Sequence, residues 1–190
     1  MNVPVLVLYL INFAIIGALP RIFFRKDGRL GLMWWLTAVP FFACAGLLVG
    51  AAAADLAPWG PSEWAPAREA VGVVISVASI ALIFLTLGTH RIPLALWHQD
   101  DDAPQHVVTY GAYSRIRHPF YTSFLLAFVG AFAFFPHWGT LALLAYAGVV
   151  LNATARREET RLSGSEFGAE YRQYMGATGR FLPRPTARSL

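Results

Sequence analysis

The sequence predicts an all-α integral membrane protein with five transmembrane helices, its N-terminus outside and its C-terminus in the cytoplasm. Hydrophobic residues make up 56% of the chain and charged residues only 14%, whereas soluble domains carry about 25% charge. Five apolar segments also approach the roughly 20 residues that a helix needs to cross the hydrocarbon core. Because lipid offers no partners to the backbone, an α-helix is the open-ended element expected there.

The apolar segments are joined by short polar connections within one predicted domain, residues 1–190. Residues 1–88 would supply three N-terminal spans, and residues 89–190 contain the last two spans and the most polar part of the chain. Only Pro136-His137-Trp138-Gly139 separates the fourth and fifth segments, which predicts a tight helical hairpin. The five segments cover about 3–19, 31–54, 67–88, 119–135 and 138–155.

The distribution of basic residues predicts the orientation. Fourteen of the fifteen lysines and arginines fall on one side of the five-span arrangement, and Arg68 is the exception. Because basic connections stay in the cytoplasm, the first and third connections and the C-terminal region should be cytoplasmic. The net charge of +4 therefore indicates contact with membrane lipids rather than nucleic acid, since the basic residues alternate with apolar runs.

Small residues suggest where helices approach closely and which chemistry is absent. Gly46 and Gly50 form a GxxxG pattern, which favours close packing of helices, more often within one chain than between two. The oligomeric state is left open. Cys44 is the only cysteine and lies in an apolar run, so we interpret it as a buried apolar residue. Neither a disulfide within the chain nor a metal site is predicted.

Beyond the fifth segment the sequence predicts amphipathic cytoplasmic helices. The fifth helix should continue to about Leu162 and break at Ser163-Gly164-Ser165. We expect Ser165 to cap the next helix. Its apolar face, which consists of Phe167, Tyr171, Tyr174 and Met175, would rest on the membrane surface in the simplest interpretation.

Two polar clusters on the cytoplasmic side form the candidate site. The first runs from His106 to His118, directly before Pro119, and proline is well tolerated in the first turn of a helix. The second contains Arg157, Glu158 and Glu159 at the end of the fifth span. Because a short hairpin joins the two spans, Arg117 and His118 should lie beside the second cluster. A basic loop near the membrane and solvated glutamates are the simpler alternative.

Three motifs in this order resemble the integral-membrane methyltransferases, which include the isoprenylcysteine carboxyl methyltransferases and the phospholipid N-methyltransferases. The motifs are RHPxY at 117–121, EExxL at 158–162 and FGxxYxxY at 167–174. The resemblance covers about residues 91–183, roughly half the chain. Ser123 and Ala112 depart from the family pattern, which usually has glycine and often proline at these positions.

The resemblance implies that residues 89–190 bind S-adenosylmethionine and release S-adenosylhomocysteine. The acceptor would be a lipid or amphiphilic small molecule, such as an isoprenylcysteine carboxylate, a lipid amine or a small thiol, methylated at the cytoplasmic face. Arg157 and Glu158 are predicted as catalytic residues. An amine acceptor would need a general base, with Glu158 or His118 as candidates. The cofactor-binding residues implied are Val107, Val108, Thr109, Gly111, Tyr113, Arg117, His118, Tyr121 and Glu159.

Two other functions remain possible from the sequence. One is an NADPH-dependent reductase of the sterol reductase type, which shares the RHP and terminal tyrosine features. Those enzymes usually carry an asparagine within HPxY, whereas this chain has His-Pro-Phe-Tyr-Thr-Ser-Phe. The other is a membrane scaffold with the same fold and no catalytic activity.

Overall fold

A computed structural model describes residues 1–18, 32–89 and 107–184, and in these residues the regular elements are helical. The prediction of an all-α protein is therefore confirmed for this part of the chain. Short 3-10 turns lie at Ser62–Trp64 and Gly111–Ser114. The helices are α1 (Val3–Ala18), α2 (Leu32–Ala53), α3 (Ala65–Thr89), α4 (Pro119–Phe134), α5 (Trp138–Ser163) and α6 (Gly168–Ala177).

Two helical stretches within the described residues are long and apolar enough to cross a membrane, judged by length and composition. They are Ser62–Thr89, which joins the first 3-10 turn to α3, and Trp138–Ser163, which is α5. Three shorter apolar helices accompany them, at Val3–Gly17, Ala38–Ala53 and Pro119–Phe134. Membrane association is thus supported most directly by α3 and α5.

An aromatic core joins α1, α2 and α4. The ring of Phe41 lies 4.7 Å from that of Phe128 and 5.4 Å from that of Phe124, centroid to centroid. Phe13 packs on both Phe41 and Phe128. Such tilted and edge-on pairs are the arrangements that aromatic quadrupoles favour. Cys44 is buried beside this core, as its apolar surroundings predicted.

A buried polar network connects α1, α3 and α4 within the apolar bundle. Asn12 Nδ2 donates a hydrogen bond to Ser76 Oγ at 3.0 Å, and the Ser79 hydroxyl donates to the carbonyl oxygen of Ser123 at 2.8 Å. Ser123 in turn donates its hydroxyl to Phe120 in its own helix. Polar side chains paired in this way hold membrane helices together. The departure from glycine at position 123 therefore lies in a helix interface.

The hairpin of α4 and α5 is present, and its connection is tightly capped. His137 precedes α5, and its Nδ1 accepts a hydrogen bond from the Gly139 backbone at 3.1 Å. Thr140 Oγ1 accepts from the His137 backbone at 3.2 Å. This reciprocal cap satisfies N–H groups that have no partner within the helix, and it returns α5 alongside α4.

The start of α6 differs from the prediction. Ser165 does not cap this helix, which begins at Gly168 with Phe167 as its N-cap. Ser165 instead forms the preceding turn, where its hydroxyl accepts from the Phe167 backbone at 3.3 Å. Tyr171 and Tyr174 are buried against the chain itself, so the helix does not rest this face on a membrane surface.

The packing within the chain that we favoured for the GxxxG pattern is not found in the described residues. Gly46 and Gly50 both lie on the exposed face of α2. A Cβ atom added at either position would meet nothing within 4 Å in the described part of the chain. The two glycines therefore do not bring α2 into close contact with another described helix.

Candidate functional site

The hairpin brings the two predicted polar clusters together at one end of the bundle. His118 is the residue before α4, with Pro119 in the first turn, and Glu158 and Glu159 lie in the last two turns of α5. Arg117 Nε lies 2.8 Å from Glu159 Oε1, and His118 Nδ1 lies 3.3 Å from Glu158 Oε2. The prediction that Arg117 and His118 lie beside both glutamates is confirmed.

Glu159 is the centre of a buried ion-pair network, which we call the arginine lock. Its side chain is only 8% exposed. The carboxylate accepts hydrogen bonds from Arg117 Nε and from Nε and Nη2 of Arg180. Arg180 Nη1 also donates to Asn152 Oδ1 at 2.8 Å. Both carboxylate oxygens are therefore engaged by guanidinium groups, which are well matched in geometry to a carboxylate.

Arg117 ties the lock to the C-terminal end of α6. Its Nη1 donates to the carbonyl oxygen of Met175 at 3.2 Å and to that of Thr178. The last carbonyls of a helix lack partners within the helix and carry its negative dipole end, so a cation is stabilised there. Arg117 thus connects α4, α5 and α6, with a side chain that is 7% exposed.

Arg180 is placed by backbone pairing between two distant stretches. Residues 115–118 and 178–181 run side by side, with a parallel bridge between Ile116 and Gly179. The backbone N–H of Arg117 donates to Gly179 at 2.8 Å, and that of His118 donates to Arg180 at 3.1 Å. Sequence reasoning did not find Arg180, because no motif or periodicity marks this pairing.

A different group of side chains lies beside the arginine lock. We call it the open cluster, and it contains Glu158, His118, Tyr121 and Tyr113. The Tyr121 hydroxyl donates to Glu158 Oε1 at 2.5 Å. The imidazole of His118 stacks on the Tyr121 ring with centroids 5.3 Å apart and 6° between the planes. Burial raises the pKa of the Tyr113 hydroxyl, and the neighbouring Tyr174 and Glu158 raise it further. The Glu158 side chain is 16% exposed against 8% for Glu159, so the carboxylate of the open cluster is the more accessible of the two.

His118 lies between the carboxylates of Glu158 in the open cluster and Glu159 in the arginine lock. Burial lowers its pKa, but contacts with Glu158 and Glu159 outweigh burial and leave the pKa above its usual value. Its Nε2 atom is buried, lies 3.4 Å from Glu159 Oε1, and has no hydrogen-bond partner among the described residues. A buried polar atom in this state is rare in folded proteins, and its explanations include an ordered water or ion, local strain and a role in proton transfer.

The raised pKa of His118 makes a testable prediction about stability. Because the folded-state pKa exceeds the unfolded value of about 6.5, the imidazolium stabilises the fold fully below that value. The stabilisation is lost as pH rises through the folded-state pKa. We expect the stability difference between wild type and His118→Gln, measured by thermal unfolding in detergent, to shrink with rising pH. In a Glu158→Gln background this pH dependence should weaken, and a difference that stays constant with pH would contradict the assignment.

Gly111 is required by the backbone at the entrance to this region. Its φ is +61°, and a Cβ atom would lie 2.2 Å from Thr89 Oγ1 at the end of α3. A positive φ strains residues that carry a Cβ. Glycine is therefore needed at position 111, where the backbone has a positive φ and passes close to the end of α3. This backbone requirement accounts for the glycine without a bound ligand.

The remaining predicted residues occupy two other positions. Val107, Val108 and Thr109 are half-buried just before the 3-10 turn at Gly111, and Arg157 is exposed on α5. His106 lies outside the described residues. The roles assigned to these side chains stay predictions.

The site contains the Glu159 carboxylate, which two arginines bind, and the more accessible Glu158 carboxylate. The buried imidazole of His118 lies beside both and stacks on the ring of Tyr121. Such a set can bind a cation, hold it against ring faces and accept a proton. No family model, curated protein or solved structure matches the chain.

Proposed function

We propose that this protein is an integral-membrane methyltransferase that uses S-adenosylmethionine and acts on a membrane-dissolved or amphiphilic acceptor. The observation that carries the proposal is the open cluster, in which Glu158, His118 and Tyr121 converge beside the arginine lock. The three motifs that resemble the membrane methyltransferases, RHPxY, EExxL and FGxxYxxY, contribute residues to this one end of the bundle.

The proposal includes five membrane spans, with α1, α2 and α4 crossing beside α3 and α5. The end of the bundle that carries the site is cytoplasmic in this proposal. Arginines flank it beside both helices of the hairpin, at 115 and 117 before α4 and at 156 and 157 in α5. The opposite end carries Trp59 and Trp138, whose rings meet edge to face at 4.7 Å. Tryptophans concentrate at membrane interfaces, which supports placing this end at the outer surface, with the N-terminus outside.

The residues of the open cluster fit the chemical groups of S-adenosylmethionine. The molecule contains a sulfonium, an ammonium, a carboxylate and a ribose diol. Glu158 suits its cationic or hydroxyl groups, and the faces of Tyr113, Tyr121 and His118 suit the sulfonium, at about 0.5–2 kcal/mol for each cation–π contact. The buried His118 Nε2 atom, which has no hydrogen-bond partner within the described part of the chain and lies 3.4 Å from Glu159 Oε1, is compatible with a site that receives a ligand. When bound, the cofactor supplies an activated methyl group.

The chain contributes positioning and exclusion of water. The arginine lock holds the start of α4 and the ends of α5 and α6 in one arrangement, which keeps His118 beside Glu158. Holding two reactants in line can lower a barrier by about 7–11 kcal/mol. In this proposal Arg117 and Glu159 act on the cofactor through the frame that they hold, whereas Val107, Val108 and Thr109 line the nucleoside side.

Calorimetry with S-adenosylhomocysteine tests the proposal directly. We expect the purified protein to bind it, and His118→Ala to weaken binding by about tenfold or more, equivalent to about 1.4 kcal/mol. His137→Ala, at the other end of the α4–α5 hairpin, is the matched control and should leave binding unchanged. Radiolabelled S-adenosylmethionine with host membrane extract would then identify the methylated species.

Other outcomes of the same measurements would support the alternatives. Binding of NADPH without binding of S-adenosylhomocysteine would favour the reductase. Cofactor binding without methylation of any component of the extract would favour the scaffold.

A further inference from the structure

We propose that Arg156, Asn152 and Arg180 bind the phosphate group of an anionic phospholipid on the lipid-facing side of α5. We call these three side chains the donor cluster. The inference requires α5 to lie in a membrane, which its length and composition support, and it does not depend on methyl transfer. It starts from hydrogen-bond donors at the border between the arginine lock and the exposed face of α5.

The exposed face of α5 is apolar up to Arg156. Side chains three, four or seven residues apart share one face of a helix, and Tyr146, Val149 and Ala153 precede Arg156 at this spacing. All four residues are exposed, and Val149 is 70% exposed. A continuous exposed apolar face marks a contact with a partner or with lipid. Arg156 therefore lies on the side of α5 that faces lipid, away from the packed core.

Arg156 also lies at the depth of the lipid headgroups. Trp138 is in the first turn of α5, and tryptophans concentrate at the membrane interface. At a rise of 1.5 Å per residue, Arg156 is about 27 Å further along the helix. This distance is close to the thickness of the hydrocarbon core, roughly 30 Å. An arginine at this depth extends its guanidinium toward the headgroups.

Arg180 extends the donor cluster from Arg156 toward the arginine lock. It donates Nε and one N–H of Nη2 to Glu159, and one N–H of Nη1 to Asn152. A guanidinium has five N–H groups, so one on Nη1 and one on Nη2 have no partner among the described residues. The side chain remains 29% exposed, which allows a ligand to approach beside the lock.

Asn152 connects the two arginines. It precedes Arg156 by about one helical turn, and its Oδ1 accepts from Arg180 at 2.8 Å. Its Nδ2 atom then carries two N–H groups that donate to no residue in the described ranges. The donor cluster thus has several unused donors, while its one side-chain acceptor is already occupied. A ligand with several acceptor oxygens and a negative charge complements such a group, as a phosphate does.

The charges around the donor cluster favour an anionic phospholipid. The carboxylate beside it, Glu159, is 8% exposed and bound by Arg117 and Arg180, so it does not repel a phosphate strongly. Anionic headgroups attract arginines at the membrane surface. Phosphatidylglycerol presents its phosphate without a compensating cation, whereas phosphatidylcholine would bring a trimethylammonium group to the arginines. Phosphatidylglycerol also has no amine, carboxylate or thiol, so it is not an acceptor in the proposed reaction.

Native mass spectrometry of the detergent-solubilised protein tests the site. The protein is titrated with dioctanoylphosphatidylglycerol or with dioctanoylphosphatidylcholine, which have the same acyl chains. We expect phosphatidylglycerol to bind about tenfold more tightly, as one charge-assisted contact would provide. Arg156→Gln should weaken phosphatidylglycerol binding about tenfold and leave phosphatidylcholine binding unchanged. Inorganic phosphate at the same concentration as the lipid should not displace it, because it lacks the acyl chains that lie along α5.

A second variant and a matched control complete the experiment. Asn152→Asp can still accept from Arg180, but it replaces the two unused N–H groups with a negative charge, so we expect phosphatidylglycerol binding to weaken about tenfold or more. Arg172→Gln is the control, because this exposed arginine lies on α6 and donates to the carbonyl oxygen of Ser163. It should leave lipid affinity unchanged. Circular dichroism of each variant checks that the helices are intact.

Several results would overturn the inference. They are equal affinity for the two lipids, unchanged phosphatidylglycerol affinity in Arg156→Gln or Asn152→Asp, an equal loss in Arg172→Gln, and displacement of the lipid by inorganic phosphate. Loss of S-adenosylhomocysteine binding in Arg156→Gln would also overturn it, because the donors would then belong to the cofactor site. The lipid titrations contain no S-adenosylhomocysteine, so a wild-type protein that does not bind this compound would overturn the proposed function alone.

Discussion

Replacing Glu159 with alanine is expected to destabilise the folded protein by about 3–5 kcal/mol, the usual effect of breaking a buried ion pair. The substitution leaves the buried guanidinium of Arg117 without its carboxylate and removes the anchor of Arg180. Arg117 then lacks a counter-charge where water reaches it poorly, at 7% side-chain exposure, whereas Arg180 keeps 29% exposure. The measurement is chemical or thermal unfolding in detergent, followed by circular dichroism.

The neighbouring glutamate is the control for this prediction. Glu158→Ala removes the same chemical group one residue away, but its side chain is twice as exposed, at 16% against 8%. We expect a smaller loss of about 1–2 kcal/mol, mainly from the Tyr121 hydrogen bond. A double-mutant cycle of Glu159→Ala with Arg180→Ala should give a clear coupling energy. Equal losses for the two glutamates would mean that the arginine lock does not hold this end of the bundle.

The part of the site that follows from local sequence was predictable. The connection between α4 and α5, Pro136-His137-Trp138-Gly139, is so short that it must reverse the chain direction. It therefore places the start of α4 beside the end of α5. Proline at position 119 marks the helix start and puts His118 at the N-cap. From these two features the contacts of Arg117 and His118 with Glu158 and Glu159 follow without a structure.

The part that depends on long-range backbone pairing was not predictable. Arg180 reaches Glu159 because residues 178–181 pair with residues 115–118, and neither stretch has the alternation of a strand. The same limit explains the error at Ser165. A serine followed by a glutamate indicates a helix cap, yet the chain needs two more residues of turn before Gly168 can pack against the end of α5.

Packing partners were also beyond the reach of the sequence. The GxxxG pattern of Gly46 and Gly50 indicates that helices can approach closely, but it does not name the partner. In the described bundle the face of α2 that packs inward carries Phe41, Cys44 and Leu48, and the glycines lie on the opposite side. A pattern of small residues therefore permits close contact without requiring it.

Gly179→Ala is expected to disrupt the pairing that carries Arg180 and to lower both stability and ligand binding. A Cβ atom at this position would lie 1.7 Å from the backbone carbonyl oxygen of Leu182, and backbone atoms cannot move aside as a side-chain end can. Overpacking typically costs about 1–3 kcal/mol and occasionally more, and we expect the upper part of this range because the clash is with backbone. Since Gly179 also bonds to Arg115 and Arg117, relieving the clash would shift Arg180 away from Glu159.

Gly176→Ala supplies the matched comparison, because it makes the same chemical change three residues earlier. Gly176 lies within α6, and a Cβ atom there would meet nothing within 4 Å in the described structure. Alanine favours a helix over glycine by about 1 kcal/mol, so this variant should be as stable as wild type or slightly more so. Unfolding and S-adenosylhomocysteine titrations of the two variants, side by side, separate the pairing from general sensitivity of the C-terminal region. If Gly179→Ala matched Gly176→Ala in both measurements, the stretch that holds Arg180 would not control the site.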